Sequence, residues 1–184
     1  MTTITPLAIP EVLLITPRRH GDARGWFAET WSAKALAGTS ADTTFVQDNQ
    51  AFSATKGTLR GLHFQAGPNA QGKLIRALRG AIFDVAVDVR TGSATYGQWV
   101  SAELTAEGGE QLWIPRGFAH AYCTITDDCE IFYKVNGPYA PGSEGGVIWN
   151  DPDLGIPWPL DGEPVLSGKD QLLPRLKDLG PVAF

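Results

Sequence analysis

The sequence predicts an all-β protein, a sandwich or barrel of jelly-roll type. Three observations carry this. Short segments with β-branched or aromatic content follow one another along most of the 184 residues. Glycine (21) and proline (13) are spread along the whole chain, which suits many short strands joined by turns. Ala81–Val89 alternates cleanly, with Phe83, Val85, Val87 and Val89 on one face and Asp84, Ala86 and Asp88 on the other.

Taken in order, Val12–Thr16 and Gly25–Thr30 read as strands flanking a hairpin-type turn over residues 20–24, where glycine and aspartate break the apolar pattern. Ser32–Ala37 is a brief helix candidate. Phe45–Ser53, Thr58–Phe64, Lys73–Leu78, Ala81–Val89, Gln98–Leu104, Gln111–Ile114, Phe118–Ile125 and Glu130–Val135 follow as strands. From Pro138 to Phe184 the chain is rich in Pro, Gly and Trp, and reads as an extended cover with one helical turn near Lys169–Leu173.

Length and composition predict one domain over residues 1–184, large enough to bury a substantial core. A net charge of −5 argues against a general nucleic-acid or membrane-surface binder, so an anionic ligand would need a local cluster of Arg and Lys. Cys123 and Cys129 form no CxxC pair. They flank Thr126-Asp127-Asp128, which reads as a hairpin turn, and free thiols are expected over a disulfide. The apolar run Val12–Ile15 is too short for a signal peptide or membrane span, and a cytoplasmic location is expected.

The chemistry concentrates in Thr58–Gln65, TLRGLHFQ, and in Gln71-Gly72-Lys73 downstream. One histidine there stands between an arginine and a lysine. Neutral imidazole suits proton abstraction, and two cations suit a phosphate and an enolate. Taken alone, a histidine so placed is more often a strand residue satisfied by backbone than a base. Strict alternation would put Arg60 and His63 on opposite strand faces, and both reach one pocket only if the strand bulges or kinks at Gly61.

Pro115-Arg116-Gly117-Phe118-Ala119-His120 fits P-x-G-x-x-H and resembles the second motif of the cupin superfamily of small jelly rolls. Metal cupins carry an H-x-H pair in the first motif, where this chain has His63-Phe64-Gln65. Two histidines without a nearby carboxylate make a poor catalytic metal site, so no metal and no cofactor are expected. Further segments narrow the resemblance: Asp22-x-Arg24-Gly25-x-Phe27-x-Glu29, Phe45-Val46-Gln47-Asp48-Asn49, Leu59–Gln65, Gln71–Leu74, Phe83–Arg90, Trp113–His120, Tyr133-Lys134, Tyr139, Glu144, Trp149–Pro152 and Ser167-x-Lys169-Asp170. Together these resemble the dTDP-4-dehydrorhamnose 3,5-epimerase family, over about Leu14 to Lys177.

That resemblance implies a cupin-type double-stranded β-helix with a short C-terminal cover, and cofactor-free epimerisation of dTDP-4-dehydro-6-deoxy-D-glucose. It implies His63 as base, Asp170 as the carboxylate orienting it, Tyr133 as acid on the opposite face of the sugar, and Lys73 as the cation near the C4 oxygen. On residue type alone, Asp170 is equally a helix N-cap and Tyr139 equally a turn aromatic, while the plain reading of Tyr133 is a strand aromatic with its hydroxyl at the rim. The family pattern gives Arg24, Arg60 and Lys169 diphosphate and sugar contacts, and gives Gln47, Asn49, Glu29 and Glu144 polar contacts. Tyr139 would stack on thymine, His120 would wall the sugar pocket, and Phe27 lies in the first substrate-binding segment. A homodimer is implied, with Arg24–Glu29 reaching into the neighbour's site.

The chain departs from the family pattern at Ala121-Tyr122, where Gly-Phe is frequent, at Gly108-Gly109, and at Gly137-Pro138 beside Tyr139. Three alternatives stay open: an epimerase acting at C3 or C5 only, a metal-dependent cupin enzyme, and a non-catalytic nucleotide-sugar binding module.

Overall fold

Two antiparallel sheets face one another, each built from strands distant in sequence. The computed structural model describes residues 2–184. The six-stranded sheet runs in the order β1 (Thr3–Pro6), β2 (Leu13–Thr16), β10 (Gln111–Ile114), β7 (Lys73–Arg79), β12 (Cys129–Val135) and β5 (Gln47–Ser53). The five-stranded sheet runs β13 (Glu144–Gly146), β6 (Leu59–Gln65), β11 (Phe118–Thr124), β8 (Ala81–Asp88) and β9 (Trp99–Thr105). A separate hairpin joins β3 (Arg19–Asp22) to β4 (Gly25–Ala28). The one α-helix among the described residues, α1 (Ala33–Leu36), is a single turn. This is the jelly-roll architecture the sequence predicts, with more strands than its patterning reveals.

Strand alternation builds three apolar layers. Ile75, Ala77, Ile82, Ala86, Val100, Leu104, Leu112, Ile114 and Ile131 fill the space between the sheets. Truncating one such side chain to Ala would cost ~2–5 kcal/mol. Leu62, Phe64, Val85, Val87, Ala119 and Ala121 point out of the five-stranded sheet, where Val147, Leu154 and Leu176 of the C-terminal segment cover them. Leu13, Ile15, Leu74 and Trp113 on the outer face of the six-stranded sheet receive Leu36 of α1 and Ala41. The C-terminal segment is therefore a cover, as its composition predicts. Val147 exchanges backbone hydrogen bonds with Leu62, and Val165 accepts from Leu59 N and donates to Gly57.

Two expectations need correction. The hairpin partner of Gly25–Ala28 is Arg19–Asp22, not Val12–Thr16, so the turn shortens to Ala23-Arg24. Thr126–Asp128 does not close a hairpin: β11 and β12 lie in different sheets, and the segment crosses between them. Cys123 and Cys129 are both free and buried, and the Cys129 thiol donates to the Ala81 carbonyl at 3.2 Å. The face of β8 that carries aspartates is buried as well. Asp84 and Asp88 are fully buried, because that face looks into the space between the sheets.

Candidate active site

The inward faces of β5, β6, β7, β11 and β12 turn polar where the two sheets part, and a cavity opens there. It has two adjoining lobes of about 430 and 340 Å³. His63, Lys73 and Tyr133 line both.

His63 reaches the cavity because β6 breaks register. On β11, His120 pairs with His63 while Tyr122 pairs with Arg60, so one residue lies between the partners on β11 and two on β6. The extra residue turns both Arg60 and His63 to the cavity, the irregularity that strict alternation required. Gly61 makes it possible. Its φ of +124° suits glycine, and a Cβ there would stand 2.5 Å from the Ala121 Cβ and the His120 carbonyl oxygen.

The His63 Nε2 lies 2.6 Å from Asp170 Oδ1. Asp170 opens a 3₁₀ turn, Asp170–Leu172, in the C-terminal cover; its backbone N–H donates to Ser167 Oγ, and its side chain is only 4% exposed. With the Nε2 proton committed to the carboxylate, Nδ1 carries the lone pair. Burial pushes the His63 pKa below its ordinary value; Asp170 opposes this, and Lys73 and Lys169 add to it. Burial thereby favours the neutral imidazole. The helix-cap alternative for Asp170 fails, because its carboxylate caps no backbone and meets His63 instead.

Lys73 enters from the first position of β7. Burial pulls its pKa down to about 8, against the attraction of Asp84 and Glu144. Tyr133 enters from β12, and burial raises its phenol above the ordinary value while the Arg60 guanidinium opposes the rise. Arg60 itself donates to the Phe52 carbonyl at 3.1 Å and to Ser53 Oγ at 3.4 Å. A base, a cation and a phenol thus converge on one cavity. That set can take a proton from a carbon acid, stabilise the resulting enolate and return a proton.

His120 walls the first lobe, its Nε2 3.0 and 3.1 Å from the two oxygens of Asp84. Asp84 is a member of the site that sequence reasoning did not single out. Its signal was there, as a carboxylate inside an otherwise apolar strand. Burial pushes its pKa up, opposed by His120 and Lys73. Tyr122 also lines this lobe without having been assigned a role from sequence. Gln47, Asn49, Tyr139 and Glu144 line the second lobe. Gln47 Nε2 donates to Asn49 Oδ1 at 2.7 Å, and its Oε1 accepts from the Tyr139 backbone N–H at 3.3 Å. Lys169 pairs with Glu144 at 2.6 Å, linking the cover to β13.

Arg24, Phe27 and Glu29 are not in this cavity. Arg24 sits at the tip of the β3–β4 hairpin, paired with Asp22; Phe27 is 72% exposed; Glu29 lines a small cleft beside α1. Among the described residues, no group of three or more His, Cys, Asp and Glu side chains is placed to hold a metal ion. No helix among them is long and apolar enough to cross a membrane.

The chain matches the model of one family, dTDP-4-dehydrorhamnose 3,5-epimerase, over residues 6–178. It is 54% identical over 178 residues to the enzyme of that name from Sinorhizobium fredii, covering 97% of this chain and 91% of the relative. The crystal structure of the Bacillus anthracis enzyme with TDP and pyrophosphate bound superposes with a TM-score of 0.92 at 43% identity, covering 95% of this chain and 99% of that one. A Legionella pneumophila structure in complex with dTDP-4-keto-L-rhamnose gives 0.93 at 42% identity, covering 97% and 95%. The converging histidine, lysine and tyrosine thus sit in a fold shared along almost its whole length, and the chain belongs to the dTDP-4-dehydrorhamnose 3,5-epimerase family.

Proposed function

We propose that this protein converts dTDP-4-dehydro-6-deoxy-D-glucose to dTDP-4-dehydro-L-rhamnose by inverting C3 and C5. Family membership supports the activity, and the residues supply a mechanism. His63, oriented by Asp170, takes the hydrogen on a carbon beside the C4 ketone. The electrons move to the C4 oxygen, where Lys73 meets the developing charge. Tyr133 returns a proton from the other face, and its phenolate is reprotonated from solvent. The observation that carries this reading is the 2.6 Å His63–Asp170 contact at a cavity shared with Lys73 and Tyr133.

Arg60 and Lys169 flank the first lobe and suit the diphosphate, while Tyr139 at the rim of the second suits a flat base. Gln47, Asn49, Glu144 and His120 line the same lobes and suit the sugar and nucleotide hydroxyls. Arg24, Phe27 and Glu29 fit the scheme through a second copy of the chain. The β3–β4 hairpin carries exposed Trp26 and Phe27 (59% and 72%), surface that a homodimer would bury. A cytoplasmic place suits two thiols that stay unbonded.

Proton NMR of dTDP-4-dehydro-6-deoxy-D-glucose incubated with the enzyme in D₂O containing EDTA tests the proposal. Deuterium entering at both C3 and C5 with inversion is expected. Exchange at one centre would make this a mono-epimerase, and exchange at neither would sink the proposal.

A further inference from the structure

Tyr122 is a buried residue with no role in the mechanism above. It lies on β11 two residues beyond His120, so both side chains point into the first lobe. The residue is 5% exposed, and its hydroxyl has no hydrogen-bond partner among the described residues. Ser53 lies near enough to pull the Tyr122 pKa down against burial, yet no hydrogen bond joins it to the Tyr122 hydroxyl, and its Oγ accepts from Arg60 Nε at 3.4 Å. A buried hydroxyl without a partner is destabilising, whereas phenylalanine would fill the same space at no such cost. A group that forms during the reaction would give this hydroxyl its partner.

The surroundings say what that is. Register sets Tyr122 opposite Arg60 on one side and Asp84 on the other. Tyr133 on the facing sheet lines the same lobe as Tyr122, with Arg60 beside both. Burial pushes the Tyr122 pKa up to about 12, so its oxygen keeps its proton and remains a donor. Tyr133 is the neighbour that turns into an anion.

This inference rests on the epimerase reading above. We propose that Tyr122 is a positioning residue for the proton donor, giving its hydroxyl hydrogen bond to the Tyr133 phenolate. In that step the enolate carbon forms a C–H bond and the C4 carbonyl is restored. The Tyr133 O–H bond breaks and leaves its electron pair on oxygen. Tyr122 and Arg60 hold that anion until a solvent proton replaces the one given up.

Exchange and inversion separate this role from mere pocket filling. His63 removing a hydrogen and returning a deuteron on its own face gives exchange without inversion, and no phenolate is needed. Inversion needs Tyr133. For Tyr122→Phe in D₂O, exchange is expected within about twofold of wild type while inversion falls about tenfold, the scale of one lost hydrogen bond to a charged group. Its melting temperature is expected to match or exceed that of wild type. Added to Tyr133→Phe, Tyr122→Phe is expected to cause no further loss. Equal loss of exchange and inversion, or a wild-type ratio of the two, overturns the assignment. A wild-type enzyme that exchanges neither hydrogen overturns the epimerase reading itself, and this assignment with it.

Discussion

At the scale of the residue, two groups proposed to carry the reaction, His63 and Lys73, are moved by burial away from their ordinary titration ranges. In the proposed reaction His63 is a neutral base, and burial lowers its pKa below 6.5. It therefore keeps its lone pair at a pH where an exposed histidine would be protonated, and the acid limb of kcat/KM should have its midpoint below 6.5. The role proposed for Lys73 requires its charge. With its pKa drawn down to about 8, it loses its charge as pH rises through that value, and the alkaline limb should fall near pH 8. A kcat/KM profile from pH 4.5 to 10 checks both, and an alkaline limb near 10 would remove Lys73 from the role. Substitution gives the complementary test. General-base help is worth about 10²–10⁴ and one oxyanion donor about 10²–10³, so His63→Ala and Lys73→Ala should each lose at least about a hundredfold in kcat with the fold intact. Wild-type turnover in either well-folded variant would refute its role. That His63, Lys73, Tyr133 and Asp170 belong together was legible from motifs, and they do meet at one cavity, but Asp84 and Tyr122 were not given roles. What marks those two is burial and partnering, which a linear pattern does not report.

At the scale of the element, the decisive device is the irregularity in β6. Residues 58–64 read as a strand from sequence, and the observed strand, Leu59–Gln65, differs by one residue at each end. The bulge was recognisable only as a requirement, namely that Arg60 and His63 must share a face. Gly61→Ala should collapse it, since the new methyl group would meet the Ala121 Cβ and the His120 carbonyl at 2.5 Å with φ in the left-handed half. Expected is a destabilisation of ~3 kcal/mol or more, with activity lost beyond what stability explains. Calorimetry and initial rates together check this, and a wild-type melting temperature would show that β6 can straighten harmlessly. The elements sequence reasoning missed share a cause. Thr3–Pro6, Arg19–Asp22 and Glu144–Gly146 lack an apolar alternation, and they are strands because a neighbour offers hydrogen bonds. Thr126–Asp128 was misread for the opposite reason. Its local turn chemistry is real, but nothing local says that the next strand joins the other sheet.

At the scale of the whole molecule, the jelly roll was legible because short strands, turn residues and the absence of long helical periods recur along the chain. The placing of Arg24, Phe27 and Glu29 was not, since one copy of the fold leaves them outside the cavity. If a twofold dimer inserts the β3–β4 hairpin of each copy at the other's cavity, every working site combines His63 of one chain with Arg24 of the other. Arg24→Ala and His63→Ala homodimers are then both impaired. Unfolding and refolding an equal mixture makes about half of the dimers mixed, by random pairing of a symmetric interface. In a mixed dimer one site carries both lesions, while the other joins an intact His63 cavity to an intact Arg24 hairpin. One intact site in two, in half of the dimers, amounts to about a quarter of wild-type activity. Recovery toward that level, above the sum of the separate variants and with dimer mass confirmed by analytical ultracentrifugation, is the expected result. Activity no greater than that sum, in mixtures that do form mixed dimers, would mean that the hairpin serves its own chain, leaving Trp26 and Phe27 exposed for another reason.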